Sequence, residues 1–161
     1  MIFDKKAWEN LKKVCEGGYP KEVCGLLFAK DGGNKVAKIE TLANVLDEKH
    51  AVRLEALVKV GAVSLPKERM GRGGAFEFVI DPEEHYRKTS QAAKEGYDQI
   101  GVFHSHPDHP PRPSETDTAQ PLLSGWSNII VAVDGGKFRE ARSWLRDSED
   151  TPFQEQTILV E

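Results

Sequence analysis

The chain has 161 residues, 39% of them apolar, and its 22 basic and 26 acidic side chains give a formal charge of −4. That length accommodates one domain with a real core, and the acidic balance excludes a generic nucleic-acid binder. The opening MIFDKKAWENLKK lacks the apolar stretch of a leader, and no segment approaches the roughly 18 to 20 apolar residues of a membrane span, so a cytoplasmic protein without membrane attachment is expected.

Asp4 is placed to cap a helix running to about Glu16, with Trp8, Leu11, Val14 and Cys15 on one stripe and Gly17-Gly18 as its stop. Cys15 and Cys24 are too few for a disulfide framework and lack zinc-pair spacing, so both read as buried thiols. Glu22 opens an apolar strand, Val23 to Ala29, which the turn Asp31-Gly32-Gly33-Asn34 joins to a second strand, Val36 to Leu42. Residues Ala51 to Ala75 interrupt this rhythm. Leu54, Leu57 and Val58, with Glu55 and Lys59 as an i,i+4 pair, predict a short helix, and Ser64 to Ala75, with Gly71, Gly73 and Gly74, reads as a loop. This insert carries a charge of +3 in an acidic protein, which marks it either as a flap that meets a partner or as a plain solvated loop.

Glu77 to Ile80 reads as a strand, and Asp81-Pro82-Glu83-Glu84 combines a cap, a first-position proline and a capping-box acid to start a helix that Gly96 ends. Gln99 to Phe103 predicts a strand leading into a histidine pair. Ser114 to about Leu123 predicts a short helix, and Asn128 to Val133 with Lys137 to Leu145 a hairpin around Asp134-Gly135-Gly136. Thr157 to Val160 is a candidate edge strand. Alternating elements with short connections define an α/β class and one domain over residues 1–161, with the insertion at about 51–75.

The chemistry concentrates in His104 to Asp117, reading HSHPDHPPRPSETD. On a strand, His104 and His106 project to one face and Ser105 to the other, so both imidazoles can share one divalent ion. Asp117, eleven residues after His106, is the candidate third ligand, brought back by a loop rich in Pro110, Pro111 and Pro113. Three protein ligands leave a fourth position for water, as in catalytic zinc sites. Ser114-x-x-Asp117 is equally a helix capping device that needs no metal, and Glu22 taken alone is an ordinary strand-start carboxylate. The string HSHPDH also satisfies H-x-H-x-D-H, the metal signature of metallo-β-lactamases, with Asp108 and His109 as further ligands. No histidine after His109 is present to complete such a site.

The order Glu22, then His104-x-His106-Pro107, then Ser114-x-x-Asp117 resembles the JAMM, or MPN+, zinc metalloprotease motif. Pro20 to Leu27 is similar to that family's first strand and Gly101-Val102-Phe103 to the strand feeding its site. The likeness covers roughly Tyr19 to Trp144 and is strongest to the small stand-alone prokaryotic type, which acts on ubiquitin-like sulfur-carrier proteins. It implies a single-domain MPN fold, cytidine-deaminase-like, with a mixed central sheet flanked by helices. It implies one Zn²⁺ per chain on His104, His106 and Asp117, Glu22 as general base and then general acid toward a zinc-bound water, and Ser114 as donor to the oxyanion. The implied reaction is hydrolysis of an amide at or beyond the C-terminal glycines of a ubiquitin-like β-grasp protein. Alternatives of other classes are a non-catalytic MPN-type binding module and a hydrolase of small amides. A homodimer through the N-terminal helix or the tail is the candidate oligomer.

Overall fold

The computed structural model describes residues 1–63, 78–119, 125–148 and 150–161. In chain order these form β1 (Ile2–Phe3), α1 (Lys5–Gly18), β2 (Cys24–Lys30), β3 (Lys35–Leu42), α2 (Ala51–Lys59), α3 (Pro82–Lys94), β4 (Tyr97–Pro107), α4 (Glu115–Ala119), β5 (Ser127–Asp134), β6 (Lys137–Leu145), β7 (Gln154–Gln156) and β8 (Leu159–Val160).

All eight strands belong to one mixed sheet in the order β7-β6-β5-β4-β2-β3-β1-β8. The two expected hairpins, β2–β3 and β5–β6, are antiparallel, whereas β4 and β5 run parallel across the connection that carries α4. Eight strands laid flat would span about 34 Å. Yet the outermost strands, β7 and β8, are separated in sequence only by Thr157 and Ile158. So short a link reaches at most about 11 Å, so the sheet is curled until its edges approach.

Pleating divides the core into two faces. Ala7, Leu11 and Cys15 of α1, spaced at i and i+4, pack with Leu27, Val36, Ile39, Phe103, Ile129, Val131 and Val133 on one face. On the other, Cys24, Leu26 and Phe28 of β2 lie against Ala92 of α3 and against Phe78, which precedes that helix. Strand β5 is buried on both faces, which explains its unbroken Ile129 to Val133 run. A third small cluster, Val45, Leu46, Leu54 and Leu57, seats α2.

The expected elements are present, with three differences. Asp4 caps α1 by accepting from the Lys6 N–H at 2.8 Å, but the helix continues through Gly17 and Gly18. It stops because Pro20 forces Tyr19 into extended backbone. The strand expected from Glu77 reduces, in its described part, to an isolated bridge between Ile80 and Asn44. The helix cap at Asp81 follows immediately and leaves no room for a ladder. The tail supplies two edge strands in place of one. Helix α2 contains the residues that predicted it, Leu54 to Lys59, but Arg53 is not part of a free basic surface: it donates to both Asp81 carboxylate oxygens, at 2.5 and 2.9 Å, and to Glu83 at 2.7 Å. The loop Ser64 to Ala75 lies outside the described residues, as do positions 120–124 of the expected helix from Ser114.

Candidate metal centre and active site

Strand pairing assembles the site. His104 and His106 lie within β4 itself, which extends past the expected Phe103 to Pro107. Cys24 of β2 is the register partner of His104. One residue earlier, the Ser105 N–H donates to the Val23 carbonyl at 2.8 Å, and the Val23 N–H donates to Ser105 Oγ at 2.9 Å. The antiparallel alignment thereby continues, and Glu22 falls opposite His106 on the same face. Glu22 is buried, at 9% exposure, and its negative charge acts on His106.

Three buried donors converge. His104 Nε2 lies 3.0 Å from His106 Nε2 and 3.0 Å from Asp117 Oδ1, and His106 Nε2 lies 3.5 Å from Asp117 Oδ2. Tetrahedral ligands about 2.0 to 2.1 Å from a zinc ion stand about 3.3 Å apart, so this spacing fits such an ion. The His106 Nδ1–H donates to the Pro110 carbonyl at 2.8 Å, which assigns the tautomer with the Nε2 lone pair facing inward. His104 is fully buried, with its ring 4.9 Å from that of Phe78.

Asp117 is placed for both roles that its sequence context left open. Its Oδ2 accepts from the Ser114 N–H and hydroxyl, each at 2.7 Å, and its own N–H donates to Ser114 Oγ at 3.1 Å: a reciprocal helix cap. Its Oδ1 meanwhile faces His104, and Oδ2 is also the oxygen nearer His106. Burial alone would raise the Asp117 pKa, but hydrogen bonds from His104, His106 and Ser114 pull it well below the usual carboxylate range. For His106 burial lowers the pKa, and this is outweighed by the Asp117 carboxylate, the Pro110 carbonyl and Glu22, so the imidazole sits above its ordinary value. Both shifts report one fact: this pocket favours positive charge beside Asp117.

Two residues that sequence reasoning did not single out, Trp144 and Arg146, hold the returning loop, and Asp108, read from the sequence as a ligand of the rival signature, has a structural role. Trp144 Nε1–H donates to the Pro111 carbonyl at 2.9 Å. Arg146, only 2% exposed, donates to the Thr118 carbonyl at 3.0 Å, one residue beyond Asp117. Asp108, in left-handed backbone at φ 56°, accepts from the Tyr19 hydroxyl and the Gly135 N–H, each at 2.9 Å. Asp108 therefore ties the end of β4 to α1 and to the β5–β6 turn, and the H-x-H-x-D-H arrangement is not formed. Nothing in the local pattern separates Trp144 from the other residues of β6, or Arg146 from an ordinary residue just past that strand. Arg146→Ala is expected to weaken metal binding about 10- to 100-fold by loosening the Asp117 segment, as measured by competition with a chromogenic chelator.

Among the described residues, His104, His106 and Asp117 are the group able to hold a metal ion. The cysteines add no nucleophile: burial pushes the Cys15 thiol up to about 12, and burial together with the charges of Glu22 and Glu84 raises Cys24 as well.

A curled mixed sheet presenting two histidines, an aspartate and a neighbouring buried glutamate defines an MPN-fold hydrolytic enzyme of the JAMM type. A family model described as prokaryotic homologs of the JAB domain matches residues 4–147, and the chain belongs to that family. It is 31% identical over 140 residues to a desampylase of Pyrococcus furiosus, covering 87% of this chain and 76% of that protein. To a desampylase of Haloferax volcanii it is 28% identical over 152 residues, covering 94% and 87%. A JAB1/MPN domain protein from Archaeoglobus fulgidus shares the fold with a TM-score of 0.55 at 17% identity, covering 100% of this chain and 97% of that one. A structure described as JAMM, a metalloprotease-like zinc site in the proteasome and signalosome, does so with a TM-score of 0.52 at 15% identity and the same coverage.

Proposed function

We propose that the protein is a zinc-dependent isopeptidase that hydrolyses the amide bond at or beyond the C-terminal glycines of a ubiquitin-like, sulfur-carrier-type protein. The observation that carries this reading is the convergence of three buried donors at 3.0 to 3.5 Å with Glu22 aligned opposite one of them. His104, His106 and Asp117 would hold the ion. When bound, a zinc ion supplies Lewis acidity, polarising the scissile carbonyl and making a water nucleophilic near neutral pH.

Glu22 accepts the proton of the attacking water and delivers it to the leaving amine. Its buried position beside His106 keeps the carboxylate within the site and out of bulk solvent. Ser114 is exposed, and its hydroxyl donates to Asp117. Rotation about its Cα–Cβ bond frees that O–H for the oxyanion, while the Ser114 N–H keeps the Asp117 cap in place.

The substrate tail is proposed to lie extended beside the insert, on the outer side of β3. Strand β1 covers only Lys35 and Val36 of that side. Further along, Lys88 donates to the Thr41 carbonyl and Glu84 accepts from the Ala43 N–H at 3.0 Å. An added strand would exchange those side-chain bonds for backbone bonds, a mode that accepts glycine-rich sequence. With Arg53 engaged by Asp81, the remaining basic residues of the insert are the candidates to meet an acidic partner. Charge reversal at both Arg69 and Arg72 is expected to raise KM with little change in kcat, read from steady-state kinetics.

The two desampylase relatives support a ubiquitin-like substrate. The test is cleavage of a β-grasp protein ending in Gly-Gly and linked to lysine, to cysteine or to a peptide, followed by mass spectrometry. Release with zinc and none with chelator is the expected outcome. Intact conjugates with the zinc-loaded enzyme overturn the substrate assignment.

A further inference from the structure

We propose that Ser105, the residue between the two histidines, is a positioning residue for Glu22, holding the general base in register with the metal site. The inference rests on the isopeptidase reading for its kinetic consequences and on geometry for its cause. Ser105 is 1% exposed and points away from the donors, so it touches neither ion nor substrate. It instead binds both polar groups of Val23, the residue adjoining Glu22: its N–H donates to the Val23 carbonyl at 2.8 Å, and its Oγ accepts from the Val23 N–H at 2.9 Å.

In a regular antiparallel rung that second bond would go to a backbone carbonyl. Here a side-chain oxygen takes its place, at the point where the regular ladder of β2 begins. The rung therefore depends on the identity of residue 105, as no earlier rung between β2 and β4 does. On the other side of Glu22, the Lys21 N–H donates to the Gly18 carbonyl at 3.0 Å, and the Lys21 side chain pairs with Asp47 at 2.8 Å, a pair that its half-exposed position makes weak. Ser105, itself buried, supplies the contact that joins this segment to β4.

Removing the hydroxyl leaves the Val23 N–H without its acceptor and lets the chain at residues 22 and 23 drift from His106. A displacement on the order of 1 Å is enough to cost a general base as much as about 100-fold. The donors themselves stay in place, because His104 and His106 belong to β4, which is paired to β5 from Gly101 to Pro107.

The experiment is a double-mutant cycle of Ser105→Ala and Glu22→Gln on zinc-loaded protein, with Ser105→Thr as the variant that retains an acceptor oxygen. In the wild-type background Ser105→Ala is expected to lower kcat about 10- to 100-fold, with KM and zinc content changed by less than about twofold. In the Glu22→Gln background the same substitution is expected to change kcat by less than about twofold, and Ser105→Thr to recover most of the loss. An unchanged kcat in Ser105→Ala, an equal loss in both backgrounds, or zinc lost with the hydroxyl overturns the proposal. Amide hydrogen exchange supplies a readout free of catalysis: Ser105→Ala is expected to reduce protection of the Val23 amide by about tenfold or more while the His104 amide stays protected. If wild type proves inactive on every conjugate, the substrate reading fails, and the exchange measurement still decides whether Ser105 holds the segment.

Discussion

Glu22→Gln is expected to lower kcat by about two to four orders of magnitude while the protein keeps about one zinc per chain. Glutamine preserves the volume of the side chain and most of its contacts but accepts no proton at neutral pH. Because Glu22 reaches the site from the segment leading into β2 and the three candidate metal donors come from β4 and α4, the substitution removes the proposed base without touching the proposed ligand set. Turnover and zinc content, measured on one preparation, test both halves of the statement. Activity within about tenfold of wild type would remove Glu22 from the proton transfer, and loss of zinc would make it a ligand.

The second large effect separates the two roles proposed for Asp117. Asp117→Ala should abolish metal binding and turnover together, and it should also destabilise the metal-free protein by about 1 kcal/mol, because the Ser114 groups lose their reciprocal cap. Asp117→Asn keeps an oxygen for the Ser114 N–H but lacks the charge that draws a cation between the imidazoles. It should lose zinc as severely with little change in the melting temperature of the metal-free form. Inductively coupled plasma mass spectrometry beside thermal unfolding, with His106→Ala as the ligand control, reads both. Wild-type zinc content in Asp117→Asn would reduce Asp117 to a helix cap and leave a two-histidine site.

Much of the centre was legible from the chain because its parts are local. Residues i and i+2 on a strand share a face, so His104 and His106 had to point together wherever β4 lay. Ser-x-x-Asp closes a cap within one helical turn, and the Gly-Gly turns after Asp31 and Asp134 join neighbouring apolar runs into hairpins. Where short-range signals competed, reading them singly failed. Gly17 and Gly18 suggested a helix stop, but a helix tolerates glycine at modest cost and the proline at 20 set the end. HSHPDH fits a second metal signature, yet Asp108 is drawn off by Tyr19 and Gly135, groups that lie 89 and 27 residues away in sequence.

What the sequence determined by itself, then, was the class of elements, the pair of histidines and the cap at Asp117, all of them consequences of backbone periodicity over a few residues, whereas the order of the five-position motif was legible only as a resemblance to a known family. Only the tertiary structure decided which carboxylate stands opposite His106, because that alignment comes from antiparallel pairing across 82 residues and its last rung runs through a serine side chain. It likewise decided that Arg53 serves an intramolecular ion pair, that Arg146 braces the Asp117 segment, and that the tail divides between the two edges of a curled sheet. Long-range hydrogen bonds and ion pairs carry no periodicity of their own, and they exist only once the strands that bear their partners have been brought side by side.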